Sequence, residues 1–72
     1  MADGVVKIWK MEEGWGVIAS PDLPAGHDAW AHFSDILAEG YRALEAGQRV
    51  EFEIVQREQD GFAYVATNVR AL

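Results

Sequence analysis

Five short strand-like segments, separated by turn signals, constrain the fold of this 72-residue chain more than any other feature. They cover residues 4–10, 14–20, 28–33, 48–57 and 62–72. Each is rich in β-branched or aromatic residues, and glycine, proline or an Asp-Gly pair stands in the gaps. Residues 34–37 predict a single helical turn capped by Ser34, and residues 38–47 predict mostly loop. The chain should therefore be all-β, with little helix.

A chain of this length forms one domain, residues 1–72, and is too short for a normal two-sheet sandwich. A flat five-stranded sheet would leave one apolar face and two edges in water, whereas curling into a barrel buries that face. We therefore predict a small five-stranded antiparallel barrel of the oligonucleotide/oligosaccharide-binding (OB) type, in which strands 2 and 3 usually form the binding surface. The residues expected to fill it are Val6, Ile18, Phe52, Ile54, Val65 and Val69.

Two aromatic segments lie on predicted strands 2 and 3, at residues 13–18 (EGWGVI) and 29–33 (AWAHF). Alternation places Trp15 and Val17 on one face of their strand, and Trp30 and His32 on one face of theirs. The flanking glycines leave room for a planar partner such as a nucleobase, whose stacking is worth roughly 1–3 kcal/mol. We expect exposed stacking platforms here. The alternative, that both tryptophans are core residues, stays open because Trp is usually well buried.

The net charge is −6, from 12 acidic and 6 basic residues, so binding to nucleic acid by phosphate neutralisation alone is not expected. Lys7 and Lys10 lie beside the aromatic segments and are the candidates for contacts to a nucleic-acid backbone. They could equally be ordinary solvated lysines. Binding should therefore depend more on stacking than on charge.

Other function classes find little support in the sequence. The absence of cysteine excludes disulfides and thiolate metal sites, and no leader or long apolar run is present, so we expect a soluble cytoplasmic protein. His27, Asp28 and His32 form only a loose cluster, which lacks a further ligand at fitting spacing. Glu51 and Glu53 have no candidate nucleophile beside them. We predict no metal, no cofactor and no enzymatic activity.

Four segments resemble the bacterial cold-shock proteins, and the resemblance covers nearly the whole chain. Residues 4–10 (GVVKIWK) resemble the family's usual opening strand, Gly-x-Val-Lys-Trp-Phe-Asn. Residues 13–18 are similar to its first ribonucleoprotein motif, Lys-Gly-Phe-Gly-Phe-Ile, and residues 28–34 to its second, Asp-Val-Phe-Val-His-Phe-Ser. Residues 66–69 (ATNV) match the closing strand. Four matches in the right order are specific.

The resemblance implies a five-stranded barrel that binds single-stranded RNA or DNA as an RNA chaperone, without catalysis. It also implies a tendency toward pyrimidine-rich strands and weak sequence preference, and we expect a monomer. Asp28 would contact a base edge. The other predicted binding residues, carried over by position or placed beside the aromatics, are Lys7, Trp9, Lys10, Trp15, Val17, Trp30, His32, Phe33 and Tyr41.

This chain departs from the family pattern at several of these positions. Ile8 and Val17 stand where exposed aromatics are usual, and Glu13 stands where a lysine is usual. Trp15 and Trp30 replace phenylalanines and are larger platforms. The loop at residues 21–27 is a few residues longer than in short family members. We therefore expect nucleic-acid binding with lowered affinity.

Two questions remain open at this stage. Trp9 could replace the stacking lost at Ile8, or it could pack at the barrel edge, because only one of these adjacent residues faces outward. The departures at Ile8, Glu13 and Val17 also allow a different function, in which the aromatic groove binds a protein partner and nucleic-acid binding is weak.

Overall fold

The structure, a computed structural model, describes residues 1–37 and 43–72. Within those residues it has five strands, β1 (Ala2–Lys10), β2 (Trp15–Ala19), β3 (Ala29–His32), β4 (Arg49–Gln59) and β5 (Phe62–Ala71). Each corresponds to a predicted segment, with ends that differ by a few residues. In the described part of the chain, no helix is long and apolar enough to span a bilayer.

The predicted helical turn is present as a 3-10 turn at Phe33–Asp35. Its cap is His32, whose side chain accepts from the backbone N–H of Ser34, while the Asp35 carboxylate accepts from the His32 backbone N–H. The prediction that Ser34 is the cap is therefore wrong by two residues. The predicted loop at 38–47 is described only from residue 43 onward, where it is loop with a turn at residues 46–47.

The strands close into a barrel, as predicted, and their order around it is β1-β2-β3-β5-β4. Four of the five pairings are antiparallel, but β3 and β5 pair in parallel, through Ala29 with Tyr64 and Trp30 with Val65. An odd number of strands cannot alternate in direction around a closed ring, so one pairing must be parallel. The predicted five-stranded barrel is confirmed, and the antiparallel arrangement predicted for it holds at every pairing except this seam.

The barrel interior is filled by side chains from all five strands, and β3 contributes Ala29 and Ala31. The largest fully buried side chains of the protein are Val6, Ile18, Val50, Phe52, Val65 and Val69, and all of them except Val65 belong to this core cluster. Ile54 was expected among them but is 36% exposed. Pairing of β1 with β4 ends at Ala2 and Phe52, so Ile54 lies where β4 continues past the end of its neighbour.

Candidate nucleic-acid interface

The outward side of β1, β2 and β3 carries two rows of paired residues. Paired residues in antiparallel strands point to the same side of the sheet. One row is Lys10, Trp15 and His32, and the next is Ile8, Val17 and Trp30. The rows are two residues apart along the strands, a separation of about 6.7 Å. We call these six residues, together with Phe33 directly after β3, the aromatic face.

Four rings are adjacent on the aromatic face. The centroids of Trp15 and Trp30 are 6.5 Å apart with planes 21° from parallel, and those of Trp30 and His32 are 5.9 Å apart at 20°. The Phe33 ring follows at 4.4 Å from His32, tilted by 45°. The residues of the two aromatic segments are thus brought together, with three of the four rings in nearly the same orientation.

Exposure divides the face into an accessible rim and a buried centre. Phe33 is 45% and Ile8 39% exposed, and Trp15 and His32 are half-buried. Trp30 and Val17 are only 8% and 7% exposed, so the expectation that Trp30 is an open platform is wrong, and Val17 offers little of the aliphatic surface expected there. Trp30 has the rings of Trp15 and His32 as neighbours, and on the other side its strand pairs with β5, where Val65 is its partner.

Trp30 also carries an unpaired polar group. Its indole N–H is buried and has no hydrogen-bond partner among the described residues. A buried donor without an acceptor costs about 1–3 kcal/mol. Phenylalanine, which the proteins that this chain resembles usually have at this position, has no N–H group and would not carry this cost.

Replacing Trp30 with phenylalanine is therefore expected to change the free energy of unfolding by less than about 1.5 kcal/mol, because losing the unpaired donor offsets the lost packing. Urea denaturation followed by far-UV circular dichroism measures the change. Trp15→Phe is the matched control, since it makes the same replacement at a half-buried position. A loss above about 3 kcal/mol at Trp30 would contradict the expectation and mean that the N–H is hydrogen-bonded in solution.

Trp9 belongs to the barrel rather than to the aromatic face. It is half-buried, packs against the core, and lies opposite Gly16 on β2. A Cβ on Gly16 would overlap the Trp9 ring and lie 2.6 Å from the carbonyl oxygen of Ile8. Of the two readings of Trp9, packing at the barrel edge is the one that the structure supports, and Ile8 is the residue that faces outward.

Backbone contacts hold Phe33 and His32 in place. The Phe33 N–H donates to the carbonyl oxygen of Gly14 at 2.8 Å, and the Phe33 ring covers Gly14, whose φ of +79° suits glycine. His32 Nδ1 accepts from the Ser34 backbone N–H at 3.3 Å and lies 2.8 Å from Ser34 Oγ. Because a backbone N–H can only donate, this contact favours the neutral tautomer that carries its proton on Nε2. His32 can therefore donate through Nε2 while its ring stacks.

Ser34 contacts the predicted site residue His32, a contact that the sequence reasoning missed. It was predicted only as a helix cap, but it orients the His32 ring and favours one tautomer of it. The His-x-Ser spacing directly after a strand was the available signal, since short polar side chains commonly bond the backbone or side chain two residues away.

Two of the predicted polar residues of the site, Lys7 and Asp28, form an ion pair. Lys7 Nζ lies 2.9 Å from Asp28 Oδ2, with the two side chains 56% and 28% exposed. The register of β1 shifts between Val6 and Ile8, so Lys7 is the extra residue of a bulge, a feature that redirects a side chain. Exposed pairs of this kind contribute roughly 0–1 kcal/mol, so a ligand could separate them at small cost.

The remaining polar groups give the site little net charge. Lys10 is exposed beside Trp15, and Glu12 and Glu13 are exposed in the turn between β1 and β2. Tyr41 lies outside the described residues. Within residues 1–37 and 43–72, no three His, Asp or Glu side chains converge as metal ligands would.

Comparisons with a family model and with known proteins all indicate the same family. The model of the "cold-shock" DNA-binding domain matches residues 2–72. The chain is 46% identical over 59 residues to the cold shock protein ScoF of Streptomyces coelicolor, covering 82% of this chain and 85% of that protein. It is 42% identical over 59 residues to the cold shock protein CspA of Staphylococcus epidermidis, with the same coverage.

A third relative extends the match along the chain. The cold shock-like protein of Aquifex aeolicus is 41% identical over 69 residues, which are 96% of this chain and 91% of that protein. The matched family model spans all five strands of the barrel and every residue of the aromatic face. The chain therefore belongs to the cold-shock domain family, a family of nucleic-acid-binding proteins.

Proposed function

We propose that this protein is a non-catalytic binder of single-stranded RNA or DNA that acts as an RNA chaperone. The observation that carries the proposal is the set of rings of Trp15, Trp30, His32 and Phe33, side by side on one surface of the barrel. Every base has a π-face, so such a row can hold successive bases with little regard to sequence.

The residues of the aromatic face have different roles in this proposal. Trp15, His32 and Phe33 are the accessible platforms on which bases stack, and His32 also donates a hydrogen bond from Nε2. Trp30 and Val17 are buried beneath the centre of the face and support the platforms. Ile8 offers an apolar contact where the family usually has an aromatic ring, so affinity should be lower than for a fully aromatic surface.

The polar residues hold the strand in place. Lys10 contacts a phosphate, and Lys7 exchanges its partner Asp28 for a phosphate when the strand binds. Asp28 is then free to accept a hydrogen bond from a base edge. Because few groups read base identity, we propose weak sequence preference with tolerance of pyrimidine-rich strands, and a monomeric protein of the cytoplasm.

The salt dependence of binding tests whether stacking dominates. With Lys7 and Lys10 as the two phosphate contacts, log K should fall with log salt concentration at a slope of roughly −1.4. Quenching of tryptophan fluorescence during titration with a pyrimidine-rich oligonucleotide, at several salt concentrations, gives this slope. Trp15→Phe shows how much of the quenching arises at the aromatic face.

A slope steeper than about −4 would contradict the stacking account, because it would need several more phosphate contacts than these two. No quenching well above micromolar protein, with an intact circular dichroism spectrum, would contradict nucleic-acid binding itself. Replacement of aromatics by Ile8 and Val17 and of a lysine by Glu13 would then have removed the activity, and a protein partner for the same face would become the better hypothesis.

A further inference from the structure

An open groove adjoins the aromatic face on the side of Ile8. It lies between β1, the end of β2 and the loop that leads into β3, and it contains about 810 Å³ of space. Sites for small ligands commonly have volumes of roughly 300–1,000 Å³. We call it the loop groove, and the lining residues that matter here are Val5, Lys7, Ser20, Pro24, His27 and Asp28.

We propose that the loop groove is a further binding site, which takes the nucleotide that follows those stacked on the aromatic face, in the same single strand. This inference rests on the proposed function. It extends the interface beyond the residues that the sequence predicted, because Val5, Pro24 and Ala25 were not among them.

The loop groove is continuous with the aromatic face. Val5 pairs with Ala19 across β1 and β2 as Ile8 pairs with Val17, so Val5 is the next outward position along β1. Lys7 and Asp28, both predicted to contact nucleic acid, form the boundary between the two regions through their 2.9 Å ion pair. A strand that crosses the aromatic face and separates this pair would enter the groove directly.

The walls of the groove are held in place before any ligand arrives. Leu23 anchors the loop in the core at 6% exposure, and its N–H donates to the Ser20 carbonyl oxygen at 3.2 Å. The His27 N–H donates to the Pro24 carbonyl oxygen at 3.1 Å, and Ser20 Oγ donates to the Asp3 carbonyl oxygen at 2.5 Å. A preformed site loses little conformational entropy on binding, which favours affinity.

The groove also has the chemistry that a nucleotide requires. Val5 is 41% exposed and, with Pro24, gives an apolar contact for a base. Lys7 and the exposed His27 can donate hydrogen bonds to a phosphate. The His27 ring lies edge-on to the ring of Tyr64, with centroids 5.5 Å apart. Asp28 is the only carboxylate among the described lining residues, and Lys7 neutralises it. A polyanion can therefore enter here although the whole chain carries a charge of −6.

The test compares oligothymidylates of about four and about eight nucleotides, lengths within the range that one OB barrel covers. The groove variant is Ala25→Glu, which adds a negative charge to an exposed lining position. Its matched control is Ala46→Glu, an exposed alanine in the turn before β4 that lines a different concavity. Fluorescence titration gives the affinities, and amide chemical shifts locate the contacts.

We expect Ala25→Glu to weaken binding of the longer oligomer by about five-fold or more while leaving the shorter one unchanged, because only the longer one reaches the groove. Ala46→Glu should change either affinity by less than about two-fold. In the natural protein, the amides of Val5, Ala25 and His27 should shift with the longer oligomer alone.

Two results would overturn the inference, and they differ in what they say of the proposed function. Suppose that the shorter oligomer binds, and that the longer one binds no more tightly and does not change the amide chemical shifts of the groove residues. The loop groove is then not a binding site, although the aromatic face remains one. If neither oligomer binds the folded protein, the proposed function fails and the groove inference fails with it.

Discussion

Replacing Phe52 with alanine is expected to lower the free energy of unfolding by about 3–5 kcal/mol. Phe52 is fully buried at the centre of the barrel, where its ring packs so close to Gly4 that a Cβ there would lie 2.9 Å from Phe52 Cε1. Removing the ring leaves a cavity in a core with few other large side chains. A domain of this length has a total stability of roughly 4–11 kcal/mol, so the loss removes a large part of it. The midpoint of urea denaturation, followed by tryptophan fluorescence, measures the effect.

The control for this prediction is Ile54→Ala, on the same strand and two residues further along. Alternation along β4 predicts that Phe52 and Ile54 are both core residues, but Ile54 is 36% exposed. Its replacement should cost less than about 1 kcal/mol. Equal losses at the two positions would contradict the structure of this end of the barrel. If Phe52→Ala does not fold at all, Phe52→Leu provides the comparison, because it retains most of the volume.

These two residues show how far alternation along a strand can predict a barrel core. The period-2 pattern correctly assigns Val50 and Phe52 to the interior, because both lie where β4 has neighbours on either side. It fails at Ile54 because the pattern says which face a residue occupies but not where the neighbouring strand ends. The parallel seam between β3 and β5 was likewise missed. It follows from the closure of five strands into a ring, a property of the whole fold rather than of any segment.

The site shows a similar division between what local sequence determines and what it does not. The aromatic segments correctly place Trp15, His32 and Phe33 together, because regular pairing of β2 with β3 aligns them. The orientation of Ile8 and Trp9 was left open, because it depends on the bulge at Lys7. No residue in the sequence predicts that bulge. The burial of Trp30 was missed because its strand also pairs with β5, a strand more than thirty residues further along the chain, and this pairing places Val65 beside it.

The Lys7–Asp28 ion pair has a consequence for the charge of the site. Both residues were predicted as separate contacts, one to phosphate and one to a base, and the structure joins them at 2.9 Å. In the free protein each therefore masks the other, so the surface offers a strand little attraction before contact. Together with the overall charge of −6, this leads us to expect that the stacking residues of the proposed interface supply most of its affinity.

Replacing Trp15 with alanine is expected to weaken binding of single-stranded nucleic acid by about 5- to 150-fold, which corresponds to the roughly 1–3 kcal/mol of one stacked base. Trp15 is half-buried, so it offers accessible ring surface, and it supports the Trp30 ring at a centroid distance of 6.5 Å. Its loss removes one platform and loosens the next. Fluorescence anisotropy of a labelled oligonucleotide measures the affinity, at a temperature where circular dichroism shows the variant folded.

Two further variants decide whether the effect is due to stacking. Trp15→Phe keeps an aromatic ring at the position and should lose less than about ten-fold in affinity, because a smaller π-surface still stacks. Val55→Ala removes an apolar side chain of 37% exposure from β4, a strand outside the aromatic face, and should have no effect. If Trp15→Phe were as weak as Trp15→Ala, the indole would act through shape or its N–H rather than through stacking. If all three variants bound as tightly as the natural protein, nucleic acid would not use this face.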